Sequence, residues 1–191
     1  MVKAVIFDCF GVLVTEAWES FCYQYFGHNR EQYKIARELG HMLNMGEIKY
    51  PEFIQKVAAL AGIKPKETDD YVSNNKPNLP LFDYICDHLK PKYKIGMLSN
   101  AGDDWLDEMF SAEQLALFDD TVLSFNFGII KPNPSIYVLA AKRLGVKPKE
   151  CVFVDDLSKH VEGALACGMQ SVLYKNFEQM KQELGEVLIK K

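Results

Sequence analysis

The feature that most constrains the fold is the apolar run Val5-Ile6-Phe7, which leads directly into Asp8 and, three residues later, into Gly11. An apolar run that ends at a glycine turn is typical of a strand buried on both faces of a parallel sheet. Asp8 then lies at the carboxyl end of that strand, where open α/β sheets bind their ligands. Because a buried carboxylate is costly to desolvate unless it is paired, we expect a cation beside Asp8, although an Asp that only caps the next helix gives the same pattern.

Predicted helices and strands alternate along the chain from Pro80 onward. The predicted strands cover 92–98, 121–125, 151–154 and 171–174, and the predicted helices cover 81–90, 103–118, 133–144, 159–167 and the stretch from 177. Such alternation implies parallel strands joined by right-handed crossovers, with helices on both faces of the sheet. Residues 15–80, by contrast, carry only helix and turn signals. The sequence therefore predicts an α/β protein, a doubly wound parallel sheet core with a small all-helical insert after the first strand.

Three later motifs follow predicted strands or turns of this core. Ser99-Asn100 follows the strand 92–98, Lys131 lies in the turn before Pro132, and Asp155-Asp156 follows the strand 151–154. Because the carboxyl ends of parallel strands meet at one edge of a sheet, we expect these side chains to converge on Asp8. Each motif also has an ordinary structural explanation: a helix N-cap, a solvated loop lysine, and a pair of turn residues.

The charges of the predicted crevice indicate a metal ion. Carboxylates in close contact repel each other by several kcal/mol at an effective dielectric constant of about 20, so Asp8, Asp155 and Asp156 need compensating cations to stay ionised together. Lys131 is one such cation. Mg²⁺ is the natural second, because it is a hard cation that binds carboxylates, water and substrate phosphate.

With these motifs in this order, the chain resembles the haloacid dehalogenase-like (HAD) hydrolase superfamily over nearly its whole length. The resemblance implies a Rossmann-like core formed by residues 1–14 and 81–191, and a helical C1-type cap formed by residues 15–80. It also implies that the chain is an enzyme, most simply a Mg²⁺-dependent phosphatase or phosphoryl-transfer enzyme for a small phosphorylated metabolite. Arg37 and His41, four residues apart on one predicted cap helix, could face that substrate, although a solvated helix face is the ordinary arrangement.

The resemblance further assigns roles to the motif residues. Asp8 would attack phosphorus and form an aspartyl-phosphate that water later hydrolyses, which is covalent catalysis by a carboxylate. Lys131 would stabilise charge on the nucleophile and on the phosphoryl group. Ser99 and Asn100 would donate hydrogen bonds to phosphate oxygens.

The metal ligands implied by the resemblance come from both ends of the chain. Mg²⁺ would be held by Asp8, by the backbone carbonyl of Phe10 and by Asp155, with Asp156 either a further ligand or a partner of one. Phe10 is also the departure from the family pattern, because phosphatases of this family carry a second Asp there as general acid and base. A positioned acid/base contributes typically about 10²–10⁴-fold. The chain is therefore expected to hydrolyse only esters with good leaving groups, to work slowly, or to use a proton donor from the cap.

Phe10 leaves two alternative functions open. Haloacid dehalogenases of the same superfamily have an aromatic residue at this position and need no metal, because their Asp attacks carbon and halide leaves without a proton. They replace the acidic pair by small polar residues, however, whereas Asp155-Asp156 is intact here and would repel an anionic haloacid. The other alternative, a binding or regulatory protein that has lost turnover, is motivated by Phe10 equally.

Composition restricts the partners and the compartment. A net charge of −4 argues against a nucleic-acid or anionic-membrane partner, since both require a basic surface. No apolar run reaches the roughly 18 residues that a membrane-spanning helix requires, and no secretory signal pattern opens the chain. The five cysteines are odd in number and lack CxxC spacing, which is typical of reduced thiols in the cytoplasm. We therefore expect a cytoplasmic monomer or homodimer.

Overall fold

The computed structural model describes residues 1–189 and contains one five-stranded parallel sheet. Its strands are β1 (Ala4–Phe7), β2 (Lys94–Ser99), β3 (Asp120–Leu123), β4 (Cys151–Asp155) and β5 (Gln170–Leu173). The spatial order is β3-β2-β1-β4-β5, and every neighbouring pair is parallel. The predicted doubly wound, Rossmann-like α/β core is confirmed.

Helices connect these strands and form the insert after β1. Within residues 1–189 the α-helices are α1 (Ala17–Phe26), α2 (Arg30–Asn44), α3 (Tyr50–Ala61), α4 (Pro65–Val72), α5 (Leu79–Tyr84), α6 (Leu106–Met109), α7 (Ala112–Leu115), α8 (Pro134–Arg143), α9 (Ser158–Ala166) and α10 (Phe177–Ile189). A π-helical segment, Ile85–Leu89, extends α5, and short 3₁₀ turns occupy Ser124–Asn126 and Pro148–Glu150. None of the helices described between residues 1 and 189 combines the length and the apolar character that a bilayer crossing requires.

Two predicted boundaries were wrong, for local reasons. The single helix predicted over 103–118 is two short helices, because Ser111 begins α7 with a capping box in which its hydroxyl accepts from the Gln114 N–H. The strand predicted over 121–125 ends at Leu123, because the hydroxyl of the next residue, Ser124, accepts a hydrogen bond from the Ala101 N–H at 3.0 Å.

The buried side chains form three clusters. One face of the sheet packs on α5, the π-helical segment and α10, and the other face packs on α8 and α9. The third cluster belongs to helices α1 to α4, which contain no strand and bury their own aromatic and aliphatic side chains. Its buried members are Phe21, Cys22, Phe26, Ala36, Leu43, Ile48, Phe53, Ile54, Val57 and Val72. The insert after β1 therefore has a hydrophobic core of its own, as expected of a helical unit placed on the sheet domain.

The register of the central strands sets the position of the candidate site. Phe7, the last residue of β1, pairs with Met97 of β2 on one side and with Val154 of β4 on the other. From β1 the chain builds outward through β2 to β3, and then crosses to β4 on the opposite side. Asp8 and Asp155 therefore lie side by side where the strand order reverses, which is the usual ligand crevice of such sheets.

Candidate active site

Four buried residues form what we call the inner cluster: Asp8, Lys131, Asp155 and His160. The Lys131 ammonium lies 2.6 Å from Oδ1 of Asp8 and 2.7 Å from Oδ2 of Asp155. The Nδ1 atom of His160 lies 3.1 Å from each carboxylate oxygen of Asp155. All four residues are at most 6% exposed, so these ion pairs are protected from solvent screening. The cation expected beside Asp8 is Lys131.

The pKa values of the two carboxylates of the inner cluster shift in opposite directions. Burial alone would raise the pKa of Asp155, but Lys131 and the hydrogen bond to His160 outweigh burial and hold this pKa below its usual value. Burial raises the pKa of Asp8 well above its usual value, because Lys131 only partly offsets the loss of solvent and the charge of Asp155. Both carboxylates raise the pKa of Lys131. One ammonium is thus shared by two acids, and Asp155 has the hydrogen bond to His160 in addition.

Backbone and amide hydrogen bonds fix the members of this cluster. The side chain of Asn100 accepts from the Lys131 N–H at 2.8 Å and donates to the Lys131 carbonyl at 3.1 Å. The Asp8 carboxylate accepts from the N–H of Cys9 at 2.7 Å, and Asp155 accepts from the N–H of Leu157 at 2.8 Å. The Asn100 amide, predicted to bind phosphate, is therefore at least partly committed to holding the lysine loop.

Asp156 lies outside the inner cluster, against the loop that follows Asp8. A Cβ added to Gly11 would come within 2.4 Å of its Oδ2, so the Asp156 carboxylate occupies the space that the missing side chain of Gly11 leaves open. Burial, then the charge of Asp155, raises the pKa of Asp156 to about 6. Among the residues that the structure describes, Asp156 forms no ion pair. Its negative charge is therefore uncompensated.

Ser99 and Phe10 complete the set of sequence-predicted residues. Ser99 ends β2 and is fully buried, and its hydroxyl has no hydrogen-bond partner within residues 1–189. Phe10 is half-buried and packs edge-to-face on Trp105, with ring centroids 4.9 Å apart. Its backbone carbonyl accepts no hydrogen bond from the described part of the chain. Both residues thus keep an oxygen without a hydrogen-bond partner among residues 1–189, Phe10 in the cavity wall and Ser99 buried at the end of β2.

The donors that remain free fit Mg²⁺. Asp8, Asp155 and His160 bring one ligand atom each within 4.8 Å of one another, but Lys131 already lies between the two carboxylates. The Asp8 Oδ2, the Phe10 carbonyl and the Asp156 carboxylate have no hydrogen-bond donor from another residue in the 1–189 range. They are hard oxygen donors of the kind that Mg²⁺ prefers. A divalent cation would also neutralise the negative charge of the carboxylates that Lys131 does not neutralise.

A cavity of about 780 Å³ lies over this edge of the sheet. Asp8, Lys131 and Asp156 line its floor, and side chains of the helical insert, including Trp18 and Tyr50, line the opposite side. Arg37 and His41 also reach it, and Arg37 pairs there with Glu19. The volume is suited to a small molecule.

The sequence does not show the contacts of two cavity residues. His160 lies in the first turn of α9, and its ring hydrogen-bonds Asp155; its position soon after the acidic pair is the only signal that it could line the crevice. Glu16 is the N-cap of α1 and lines the cavity. An acidic residue at a helix start is favoured by the helix dipole, so it gives no functional signal by itself.

Comparison with known proteins places the chain in a family. A family model described as haloacid dehalogenase-like hydrolase matches residues 2–168. D-ribitol-5-phosphate phosphatase of Bacteroides thetaiotaomicron is 27% identical over 98% of this chain and 99% of its own length. Bifunctional epoxide hydrolase 2 of Sus scrofa is 26% identical over 97% of this chain but only 38% of its own length, so the chain spans about two fifths of that relative.

A solved structure supports the same placement at the level of the fold. A HAD family enzyme of Bacteroides thetaiotaomicron, in complex with magnesium and inorganic phosphate, superposes with a TM-score of 0.72. The match is 24% identical and covers 92% of this chain and 95% of the other. The residue motifs, the parallel sheet and the matching family model agree: the chain belongs to the haloacid dehalogenase-like hydrolase family.

Proposed function

We propose that the protein is a Mg²⁺-dependent phosphatase that hydrolyses a small phosphorylated metabolite with Asp8 as the nucleophile. The observation that carries this proposal is the contrast between Asp8, which Lys131 pairs with and orients at 2.6 Å, and Asp156, which forms no ion pair among the described residues. A phosphatase needs an anionic nucleophile together with a second cation for the phosphate. The full-length relative that acts on D-ribitol 5-phosphate supports a small phosphate ester as substrate.

The residues of the inner cluster divide the work of phosphoryl transfer. The Cys9 N–H and Lys131 fix Oδ1 of Asp8, which sets the angle at which this carboxylate attacks phosphorus. Lys131 then stabilises the charge that builds up between nucleophile and phosphoryl group. Asp155 pairs with Lys131, and His160 in turn hydrogen-bonds Asp155, so both act by positioning the lysine.

The phosphate and the metal would be bound by the remaining free groups. The unpaired Ser99 hydroxyl is suited to donate to a phosphate oxygen, and Asn100 positions Lys131. Asp8, the Phe10 carbonyl and Asp156 would hold Mg²⁺, whereas both oxygens of Asp155 are already hydrogen-bonded. When bound, Mg²⁺ supplies charge neutralisation for the nucleophile and the phosphate.

We also infer that residues 15–80 act as a cap, with residues 1–14 and 81–191 as the core domain. The insert has its own hydrophobic core and contributes Trp18, Arg37 and Tyr50 to the cavity wall. Specificity would therefore be set by the insert, and the chemistry by the sheet edge.

A metal-independent 2-haloacid dehalogenase is the second candidate, and Phe10 favours it. Its aromatic ring, packed on Trp105, occupies the position where phosphatases of the family carry their acid/base. The acidic pair argues against it, because Asp156 lines the cavity with an uncompensated charge that would repel a haloacid carboxylate.

One assay separates these functions. The protein is given p-nitrophenyl phosphate or acetyl phosphate, each with Mg²⁺ and with EDTA, and L-2-chloropropionate without metal. We expect phosphate release that EDTA abolishes. Halide release would replace the proposal by the dehalogenase, and inactivity on all three substrates would leave a binding protein.

A further inference from the structure

A phosphatase with Phe10 in place of the usual acid lacks an evident proton donor for the leaving group. Attacking and leaving oxygens lie roughly in line across the transferred phosphoryl group. A phosphoryl group attacked by Asp8 from the sheet edge therefore turns its leaving oxygen toward the cavity and the helical insert. The missing donor is to be sought among the side chains that line that side.

Glu16 is held at the junction between sheet and insert by hydrogen bonds on both sides of it. The N–H of Thr15 donates to the Lys76 carbonyl at 3.0 Å, and the Lys76 N–H donates back to the Thr15 hydroxyl at 2.9 Å. The N–H of Ala17 donates to the Asn75 side chain at 3.0 Å. The two chain crossings between sheet and insert are thus tied together at Glu16, which fixes the direction of its side chain.

Only one oxygen of the Glu16 carboxyl is committed. Its Oε1 accepts from the N–H groups of Trp18 at 2.9 Å and Glu19 at 3.4 Å, as an N-cap does. Its Oε2 has no hydrogen-bond partner among residues 1–189. Glu16 is one of the residues that line the cavity of the candidate active site, together with Asp8 and Phe10.

The surroundings of Glu16 favour a proton that can be given up and regained. Burial raises its pKa to about 7, the two capping N–H groups lower it, and the charges of Glu19 and Asp156 raise it further. Cys9, from the loop after β1, also faces it, and its thiol pKa is raised by burial and by neighbouring acids including Glu16. A group whose pKa is close to the working pH is the most effective general acid and base.

The other acidic and phenolic groups that the insert contributes near this position are already paired. Glu19 forms an ion pair with Arg37. The Tyr50 hydroxyl donates to Asp69 at 2.7 Å, and burial followed by this hydrogen bond raises the pKa of Tyr50. Glu16 differs from these groups because it lines the cavity and has a carboxyl oxygen without a hydrogen-bond partner among residues 1–189.

We propose that Glu16 is the catalytic acid and base of this enzyme, replacing the residue that Phe10 displaces; this inference rests on the proposed phosphatase function. In the first step the Asp8 carboxylate forms the P–O bond, the bond from phosphorus to the leaving oxygen breaks, and the Glu16 carboxyl gives its proton to that oxygen. In the second step the Glu16 carboxylate takes a proton from water, which attacks phosphorus. The bond between phosphorus and the Asp8 oxygen then breaks, and inorganic phosphate leaves. This step regenerates the Asp8 carboxylate and the protonated Glu16 carboxyl.

The test is Glu16→Gln, which removes the proton but keeps an amide oxygen to cap α1. With Mg²⁺ present, we expect kcat/KM for an alkyl ester such as glycerol phosphate to fall about 10²–10⁴-fold. With p-nitrophenyl phosphate, whose leaving group needs no proton, E16Q should release about one equivalent of nitrophenolate in a burst and then turn over slowly. Such a burst would show that the active site is intact and that only proton transfer is lost.

Two further variants exclude a merely structural effect. N29A removes the N-cap of α2, whose side chain accepts from Glu31 and Gln32 N–H groups at the exposed surface, and it should leave both activities unchanged. F10D added to E16Q should restore alkyl phosphate hydrolysis by returning a carboxyl to the family position. Unchanged alkyl phosphatase activity in E16Q, or an equal loss on both esters without a burst, would overturn the role of Glu16. Neither result would affect the proposed phosphatase function. A wild-type protein that hydrolyses no phosphate ester overturns the phosphatase function and this role with it.

Discussion

Asp155 and Asp156 are adjacent in the chain, yet they belong to two regions with opposite charge balance. Asp155 lies in the inner cluster, where Lys131 and His160 hold its pKa below the usual value. Asp156 faces the cavity, where burial and its neighbour raise its pKa to about 6. The inner cluster pairs its carboxylates with Lys131, whereas the cavity side, which also includes Glu16, carries acidic groups that form no ion pair among the described residues. Two acidic residues that are adjacent in the chain can therefore have opposite electrostatic surroundings.

The largest effect is expected at the proposed nucleophile. Asp8→Asn removes the carboxylate proposed to attack phosphorus but keeps its size and one hydrogen-bond acceptor, so turnover should become undetectable while the fold is kept. Phosphate release and circular dichroism measure the two properties. Full activity in a folded D8N protein would contradict the assignment of Asp8.

The next effect concerns the stability of the inner cluster. Lys131→Met leaves two buried carboxylates without their cation, which should lower the free energy of unfolding by about 3–5 kcal/mol. The matched control is Lys66→Met, which breaks a pair with Asp70 whose side chains are 83% and 63% exposed; solvent screens such surface pairs, so this variant should lose little stability. Urea denaturation compares the variants. Equal losses in the two proteins would show that the inner cluster is not a buried network.

A smaller effect is expected from pH on the cavity side. Because the pKa of Asp156 is raised in the folded state, its contribution to stability is fully present below its unfolded pKa, 3.8, and is lost as the pH rises through about 6. In EDTA, the free energy of unfolding should therefore decline over this range, and Asp156→Asn should make the decline shallower. A decline that is identical in wild type and D156N would exclude an uncompensated Asp156.

The convergence of Asp8, Lys131 and the acidic pair could be predicted from the sequence, because parallel strands bring their carboxyl ends to one edge whatever the loops do. The direction of each side chain could not. Asn100 follows Ser99 directly, but its amide turns to the backbone of Lys131, 31 residues later in the chain.

The contacts of His160 and Glu16 could not be predicted from the sequence either. His160 binds Asp155 because α9 begins immediately after β4 and brings its first turn back over the strand end. Glu16 enters the cavity because residues 75 and 76 return beside it. The position of Glu16 depends on a pairing between segments that are remote in sequence, and the contact of His160 depends on the direction of its ring; local patterns encode neither.

The most direct test of this account is calorimetric titration of Mg²⁺ into the wild-type protein, D156N and D155N, without substrate. Saturable binding of one ion to the wild type, abolished in D156N, is the predicted result. In D155N the inner cluster loses one charge while the proposed ligands stay in place, so binding should persist in the folded protein. Absence of binding to the wild type, or unchanged binding in D156N, would contradict the claim that the cavity side is built to hold a divalent cation.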